Sequence, residues 1–249
     1  ELALATGGQA SGDFAGTGLA FDSREVGPGD LFIALKGEMT DGHRFVDSAF
    51  AQGAAGAIVS TPIDHPHILV KDTTAALNAL GVAARLRTSA RIAGVTGSVG
   101  KTSTKEALAA ALARANKGPV HRSVKSYNNH TGVPLSLGRM PAQTRFGVFE
   151  MGMNHAGEIA QLTRMVRPHV AMITAIAPAH IENLGSMEAI ADAKGEIFQG
   201  LEPDGTAIVP FDTPYRDQLL AHAKAHARQV ITFGRTEGAD VFARDVLVA

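Results

Sequence analysis

The chain has 249 residues, 45% hydrophobic and 19% charged, which is enough apolar material for one large core or two ordinary ones and too much for a disordered chain. Lys+Arg 23 against Asp+Glu 24 leave a net charge of -1, so the composition carries no electrostatic footprint for nucleic acid or an anionic membrane. With no cysteine, disulfides, thiolate metal sites and thiol nucleophiles are excluded.

No apolar run approaches the roughly 18 residues that span a bilayer. The longest, ALAAALA at 107–113, is too short and belongs to a helix. The opening ELALATGGQASGDF carries neither a basic region nor an apolar signal core, so no membrane insertion is expected and the expected compartment is the cytoplasm. The chain also lacks an initial Met, as a trimmed sequence would.

Up to about residue 88 the pattern predicts a small mixed α/β unit. Its strand candidates are 30–35, 56–60 and 67–71. A helical pattern runs from Arg44 to Gln52, with Phe45, Ala49 and Phe50 on one side, and a second helix from Thr74 to about Arg87, capped by Thr73 or Thr74. GPGD at 27–30 reads as a turn. Residues 88–91, TSAR, form the predicted boundary, giving units 1–88 and 89–249.

From Arg91 onward short β-rich runs alternate with helices: RIAGVTG, then 102–115, PVHRSV, FGVFEMG, a helix near 156–166, HVAMITAI, a helix over 186–201, TAIVPF, a helix near 214–227, and QVITFG. Such alternation predicts a mostly parallel sheet with helices on both faces, as in P-loop nucleotide-binding proteins. Right-handed crossovers would bring the carboxyl ends of the strands to one edge, where ligands of open α/β sheets bind.

One strand–helix junction carries a recognisable chemistry. GVTGSVGKTSTKEAL (94–108) contains T-G-x-x-G-K-T, a shorter variant of the general phosphate-loop pattern, with Val95 where that pattern has its first glycine. Gly97 and Gly100 allow backbone N–H groups to turn toward phosphate oxygens, and the helix start near Thr102 adds its positive dipole end. Lys101 would reach the β- and γ-phosphates and the Thr102 hydroxyl would ligate Mg2+. The candidate nucleotide contacts are Thr96, Gly97, Ser98, Val99, Gly100, Lys101, Thr102 and Ser103. A glycine-rich turn with a surface lysine is the plainer alternative; the flanking strand and helix and the Lys-Thr pair favour the triphosphate site.

Three further residues sit where that edge should be. FGVFEMGMNHAGEI (146–159) reads as a buried strand ending in Glu150, a candidate oxygen ligand for Mg2+ or a salt-bridged strand end. His180 follows the next strand in VAMITAIAPAHIENLGS (170–186), where packing, solvent and ligand roles all remain open. In SMEAIADAKGEIFQGL (186–201), Met187, Ile190, Ile197, Phe198 and Leu201 mark an inward helical face, and Lys194 falls on it. An ammonium there would repel Mg2+. A neutral amine, an ion pair to Glu150, conversion to an anion, or a snorkelling side chain would each resolve the conflict. Asn128 and Asn129, in KSYNNHTGVPLSL (125–137), could bind polar ligand groups or form their own turn.

The blocks DSREVGPGDLFIALKGEMTDGHRFVDSAFAQGA (22–54), GVTGSVGKTSTKE (94–106), NNHTGVPLSL (128–137), EMGMNHAGEI (150–159) and APAHIENLGSMEAIADAKGEIFQGL (177–201) together resemble the Mur ligases, ATP-dependent amide-forming enzymes of bacterial cell-wall precursor synthesis. NNHTGVP and AKGEIF favour the branch whose acceptor is D-alanyl-D-alanine and whose donor is UDP-N-acetylmuramoyl-tripeptide. The resemblance implies that Lys194 is carbamylated by CO2 and, with His180, holds one of two Mg2+ ions, while Glu150 binds Mg2+. It implies activation of the tripeptide carboxylate as an acyl phosphate, followed by attack of the dipeptide amine. Ser23 and Arg24 become candidates for the UDP portion, with Arg24 equally able to brace its own turn. Asn128 and Asn129 become candidates for lining the substrate channel. The family has three domains, and by this resemblance the chain stops partway through the second. The expectation is therefore a monomer that holds nucleotide but does not complete ligation alone. The rival expectations are a Mur or folylpolyglutamate-type ligase with another acceptor, and a non-catalytic P-loop module that needs no convergence of Glu150, His180 and Lys194.

Overall fold

The computed structural model describes residues 1–37, 40–115, 118–179 and 181–244. They fall into two compact units, Glu1–Arg87 with Pro134–Met140, and Thr88–Val133 with Pro141–Ala249. The fold is α/β in both, with a mixed sheet in the first and a parallel sheet in the second.

The first unit contains α1 (Leu2–Thr6), β1 (Gln9–Ser11), β2 (Gly18–Ala20), β3 (Asp30–Ile33), α2 (Val46–Ala51), β4 (Gly56–Val59), β5 (His67–Leu69) and α3 (Thr73–Leu86). The strands lie in the order β1-β5-β4-β3-β2, all parallel except β1, which runs antiparallel to β5. Leu31, Phe32, Ile33, Ala57, Ile58 and Val59 are fully buried, so β3 and β4 are continuous apolar runs, as central parallel strands must be. α3 turns Ala76, Leu77, Leu80 and Ala84 inward at spacings of three and four.

Two local expectations are corrected here. α3 is capped by Asp72, whose carboxylate accepts from the N–H groups of Thr74 (2.7 Å) and Ala75 (3.0 Å), and not by Thr73 or Thr74. One carboxylate satisfies two of the helix's orphan donors, which a threonine one residue later could not do from inside the first turn. The helical pattern of 44–52 divides into a 3-10 turn, Gly42–Phe45, and α2. That tighter turn, capped by Asp41, shifts the phase, so Phe45 is 41% exposed and Val46 takes the inward position.

The second unit contains β6 (Arg91–Thr96), α4 (Lys101–Arg114), β7 (Val120–Arg122), β8 (Phe146–Glu150), α6 (Glu158–Val166), β9 (Val170–Ile173), α7 (Ile181–Leu184), α8 (Met187–Gly195), β10 (Thr206–Pro210), α9 (Arg216–His226), β11 (Gln229–Gly234) and β12 (Val241–Phe242). Between β7 and β8 lies α5 (Gly132–Gly138), most of which belongs to the first unit. The seven strands are all parallel, in the order β12-β11-β10-β9-β6-β8-β7. The chain leaves β6 for β7 and β8 on one side, then returns to β9 on the other. β6 therefore marks the reversal of strand order, and the carboxyl ends of β6, β8 and β9 meet at the crevice such a reversal creates. Among the described residues no helix is long and apolar enough to cross a membrane.

Candidate functional site

The loop 97–100 leaves the end of β6 and enters α4 through two glycines with positive φ, Gly97 (149°) and Gly100 (84°). At Gly97 a side chain is also excluded by space, because a Cβ would collide with the Thr174 hydroxyl. That hydroxyl donates to the carbonyls of Thr96 (3.2 Å) and Val99 (2.5 Å). Ser98 makes a reciprocal pair with Ala177, its Oγ donating to the carbonyl (2.9 Å) and accepting from the N–H (3.0 Å). The loop after β9 thus braces the loop after β6 at several points. α4 begins at Gly100 with no side-chain cap. A helix start without a side-chain cap suits an anion. Lys101 bends back to donate to the Gly97 carbonyl (2.8 Å).

Glu150, 1% exposed at the end of β8, is the hub. Its Oε2 accepts from the Thr102 hydroxyl (2.8 Å) and its Oε1 from the Asn128 amide (2.7 Å). Parallel pairing sets Val95 opposite Glu150, two residues before Gly97, so register alone delivers the carboxylate close to that loop. Glu150 Oε2 also lies 3.9 Å from the amine of Lys105, a fully buried lysine one turn along α4 from Lys101.

Lys194 sits on the inward face of α8 and is 2% exposed, with Ile190, Ile197 and Phe198 fully buried around it. Burial, and after it the charge of Lys101, push its amine down from 10.5 to about 8. Among the described residues no ion pair joins Lys194 to Glu150; the lysine near that carboxylate is Lys105. Ser186 caps α8 by accepting from the Ala189 N–H (3.1 Å). Gly195 is required by contact, since a Cβ there would meet the His222 ring at 2.6 Å.

The structure therefore brings together Lys101, Thr102, Glu150 and Asn128, and sets Lys194 within electrostatic reach of Lys101. His180 lies outside the described residues. Asn129 caps its own turn, accepting from the N–H of Thr131 (3.3 Å) and Gly132 (2.9 Å). In the first unit Ser23 is buried, and Arg24 braces its own turn with two bonds to Asp22, from Nε (2.9 Å) and Nη2 (2.6 Å).

Sequence reasoning missed Lys105, Thr174, Ser123 and Glu196. Ser123 Oγ accepts from the Glu150 N–H (3.1 Å). Glu196 accepts from the N–H groups of Gly157 (2.7 Å) and Ala160 (3.0 Å), fastening the start of α6 to the end of α8. Each of the four acts through a partner distant in the sequence.

The model for the Mur ligase middle domain matches residues 95–248, and that for the Mur ligase family catalytic domain matches 17–122. The chain is 42% identical over 234 residues to the UDP-N-acetylmuramoyl-tripeptide--D-alanyl-D-alanine ligase of Bacillus subtilis, covering 92% of this chain and 50% of the relative. A crystal structure of MurF from Acinetobacter baumannii superposes with a TM-score of 0.87 at 37% identity, over 98% of this chain and 54% of that one. MurF of Thermotoga maritima, solved in complex with ADP, superposes with a TM-score of 0.77 at 32% identity, over 92% of this chain and 52% of that one. The chain spans about half the length of the curated relatives it matches. The phosphate loop, the strand-end glutamate and the buried lysine accordingly belong to a chain that is a member of the Mur ligase family.

Proposed function

We propose that this chain binds ATP and UDP-N-acetylmuramoyl-tripeptide for ADP-forming amide ligation to D-alanyl-D-alanine, in peptidoglycan precursor synthesis. The observation that carries the reading is the contact between Thr102 and Glu150 beneath an uncapped helix start, with Lys101 beside it and Lys194 buried nearby. Among the described residues of the second unit two buried amines, Lys105 and Lys194, outnumber the one buried carboxylate, Glu150. Such a surplus of positive charge favours a polyanionic ligand.

The donor set also suits Mg2+. Among the described residues no group of three or more acidic or histidine side chains could hold a metal alone. A carboxylate and a hydroxyl are what Mg2+ uses when substrate phosphates complete its shell. Glu150 and Thr102 would hold that ion, which supplies charge neutralisation to the transferring phosphoryl group. The depressed Lys194 amine is uncharged in an accessible fraction of molecules. Carboxylation of Nζ by CO2, with loss of a proton, would convert it to an anion able to hold a second Mg2+ with His180.

In this reading the tripeptide carboxylate attacks the γ-phosphate, giving an acyl phosphate and ADP. The dipeptide amine then attacks the acyl carbon and phosphate leaves. Lys101 stabilises charge on the transferred group, and no nucleophilic side chain is required. The first unit, with Ser23 and the Asp22–Arg24 turn, is assigned to the UDP portion.

Calorimetric titration of the chain with Mg·ATP, and separately with the UDP-linked tripeptide, tests the reading. Both are expected to bind, and Lys101→Ala and Thr102→Val each to weaken Mg·ATP by at least about tenfold while leaving the UDP ligand unaffected. Unchanged Mg·ATP affinity in both variants, or no binding of the UDP ligand, would overturn it.

A further inference from the structure

Lys105 is 0% exposed, and the proposed reaction gives it no step of its own. On α4 Lys105 and Ala109 are the buried side chains, and Leu108 and Leu112 pack half-buried against the same core, so a charged group lies on the helix's apolar face. Its amine donates to the Lys125 carbonyl (2.6 Å) and lies 3.2 Å from Glu106 Oε1. Lys125 has φ 51°, one of two non-glycine residues with positive φ among those described, and that conformation aims its carbonyl at the amine. The same loop is fastened to the end of β8 at three points. Ser123 Oγ accepts from the Glu150 N–H, the Asn128 amide donates to Glu150 Oε1, and the Asn128 carbonyl accepts from the Gly152 N–H (2.7 Å).

The consequence lies in one distance. A buried ammonium beside a carboxylate normally closes to about 2.8 Å. Lys105 stops 3.9 Å from Glu150 Oε2, because its shorter contacts to the Lys125 carbonyl and Glu106 hold it. Glu106 is itself paired with Arg122 (2.7 Å), so the Lys105 charge balances Glu150 without a direct bond to it. A bare divalent cation arriving at Oε2 would meet an attractive and a repulsive charge at similar range, in a buried setting where water screens neither. A cation that brings phosphate oxygens carries its own compensating charge.

We propose that Lys105 is the resident counter-ion of Glu150, a positioning residue that makes divalent-cation binding at Glu150 conditional on a polyphosphate. This rests on the reading of Glu150 as a cation ligand. It orders the site: metal enters with nucleotide and not before it, and the carboxylate keeps its aim in the meantime.

Mn2+ binding to this chain, followed by electron paramagnetic resonance with and without ADP, tests the assignment. Without ADP the wild-type chain is expected to bind Mn2+ weakly, and Lys105→Met to bind it at least about tenfold more tightly. With saturating ADP the difference is expected to shrink to within about threefold. Lys105→Gln, which keeps a donor for the Lys125 carbonyl but not the charge, should behave like Lys105→Met and serves if the methionine variant does not fold. ADP-free Mn2+ affinity unchanged in a folded variant that still binds ADP would overturn the proposal. So would tight ADP-free binding by the wild type that Glu150→Gln removes. If Glu150→Gln leaves the affinity for Mn2+ with ADP untouched, the cation-ligand reading itself fails, a result distinguishable from the other two.

Discussion

Replacing Lys194 with methionine should make the second unit more stable. The amine is 2% exposed and titrates at about 8, against an ordinary 10.5. At neutral pH the folded chain must therefore hold a charge in surroundings that disfavour it, at a cost of about 3 kcal/mol relative to the unfolded chain. Methionine keeps the length and most of the apolar stem, so little packing is lost. The sign follows from proton binding. Between the folded and the ordinary value the unfolded chain binds more protons, so wild-type stability rises with pH across that window. Below about pH 8 the deficit is complete. The advantage of Lys194→Met should accordingly fall from about 3 kcal/mol at pH 7 to about 1.5 at pH 9.5. Urea denaturation in CO2-free buffer reads it, and tyrosine emission isolates the second unit, because both tyrosines, Tyr127 and Tyr215, lie there and the chain has no tryptophan. A destabilised variant, or an advantage that does not change with pH, would refute the reasoning.

Glu150→Ala should cost about 2 kcal/mol in the same assay, since it takes the shared acceptor from the Thr102 hydroxyl and the Asn128 amide and removes a carboxylate from beside the buried Lys105. Glu150→Gln, which keeps a carbonyl acceptor, should cost less. Gly97→Ala should abolish nucleotide binding by calorimetry, through both its positive φ and the Thr174 hydroxyl, whereas Gly157→Ala, also at positive φ but with space for a Cβ and away from the loop, should leave it intact. Asp72→Ala should lower the thermal stability of the first unit by about 1 kcal/mol, seen by far-ultraviolet circular dichroism, and Thr73→Ala by less.

Much of this architecture was legible because each element carries its own period. Phe146–Glu150 read as a buried strand and Val170–Ile173 as a further strand of the same parallel sheet from their apolar content, and the inward lysine of α8 from the spacing of Ile190 and Ile197. What stayed hidden depends on partners distant in sequence. Gly132–Gly138 is helical despite two glycines and Pro134, and the turn signals of NNHTGVP mask it. Lys105 reads as a solvated helical lysine until the Lys125 carbonyl, 20 residues on, is placed against it. Thr174 looks like an ordinary strand-end threonine until the phosphate loop, 75 residues earlier, folds beneath its hydroxyl. The short edge strands Gln9–Ser11 and Gly18–Ala20 have too few residues to show alternation.

The proposed function requires a polyphosphate site and a buried, depressed amine to form one electrostatic unit. NMR titration of Lys194, with lysine carbons labelled, measures this directly in CO2-free and divalent-free buffer, before and after saturation with ADP. The amine should titrate near 8 in the free chain, as burial and Lys101 dictate. Bound phosphate charge should then raise that value by about one pH unit or more. A free-chain value near 10.5, or a value that stays put while ADP binds, would contradict the account.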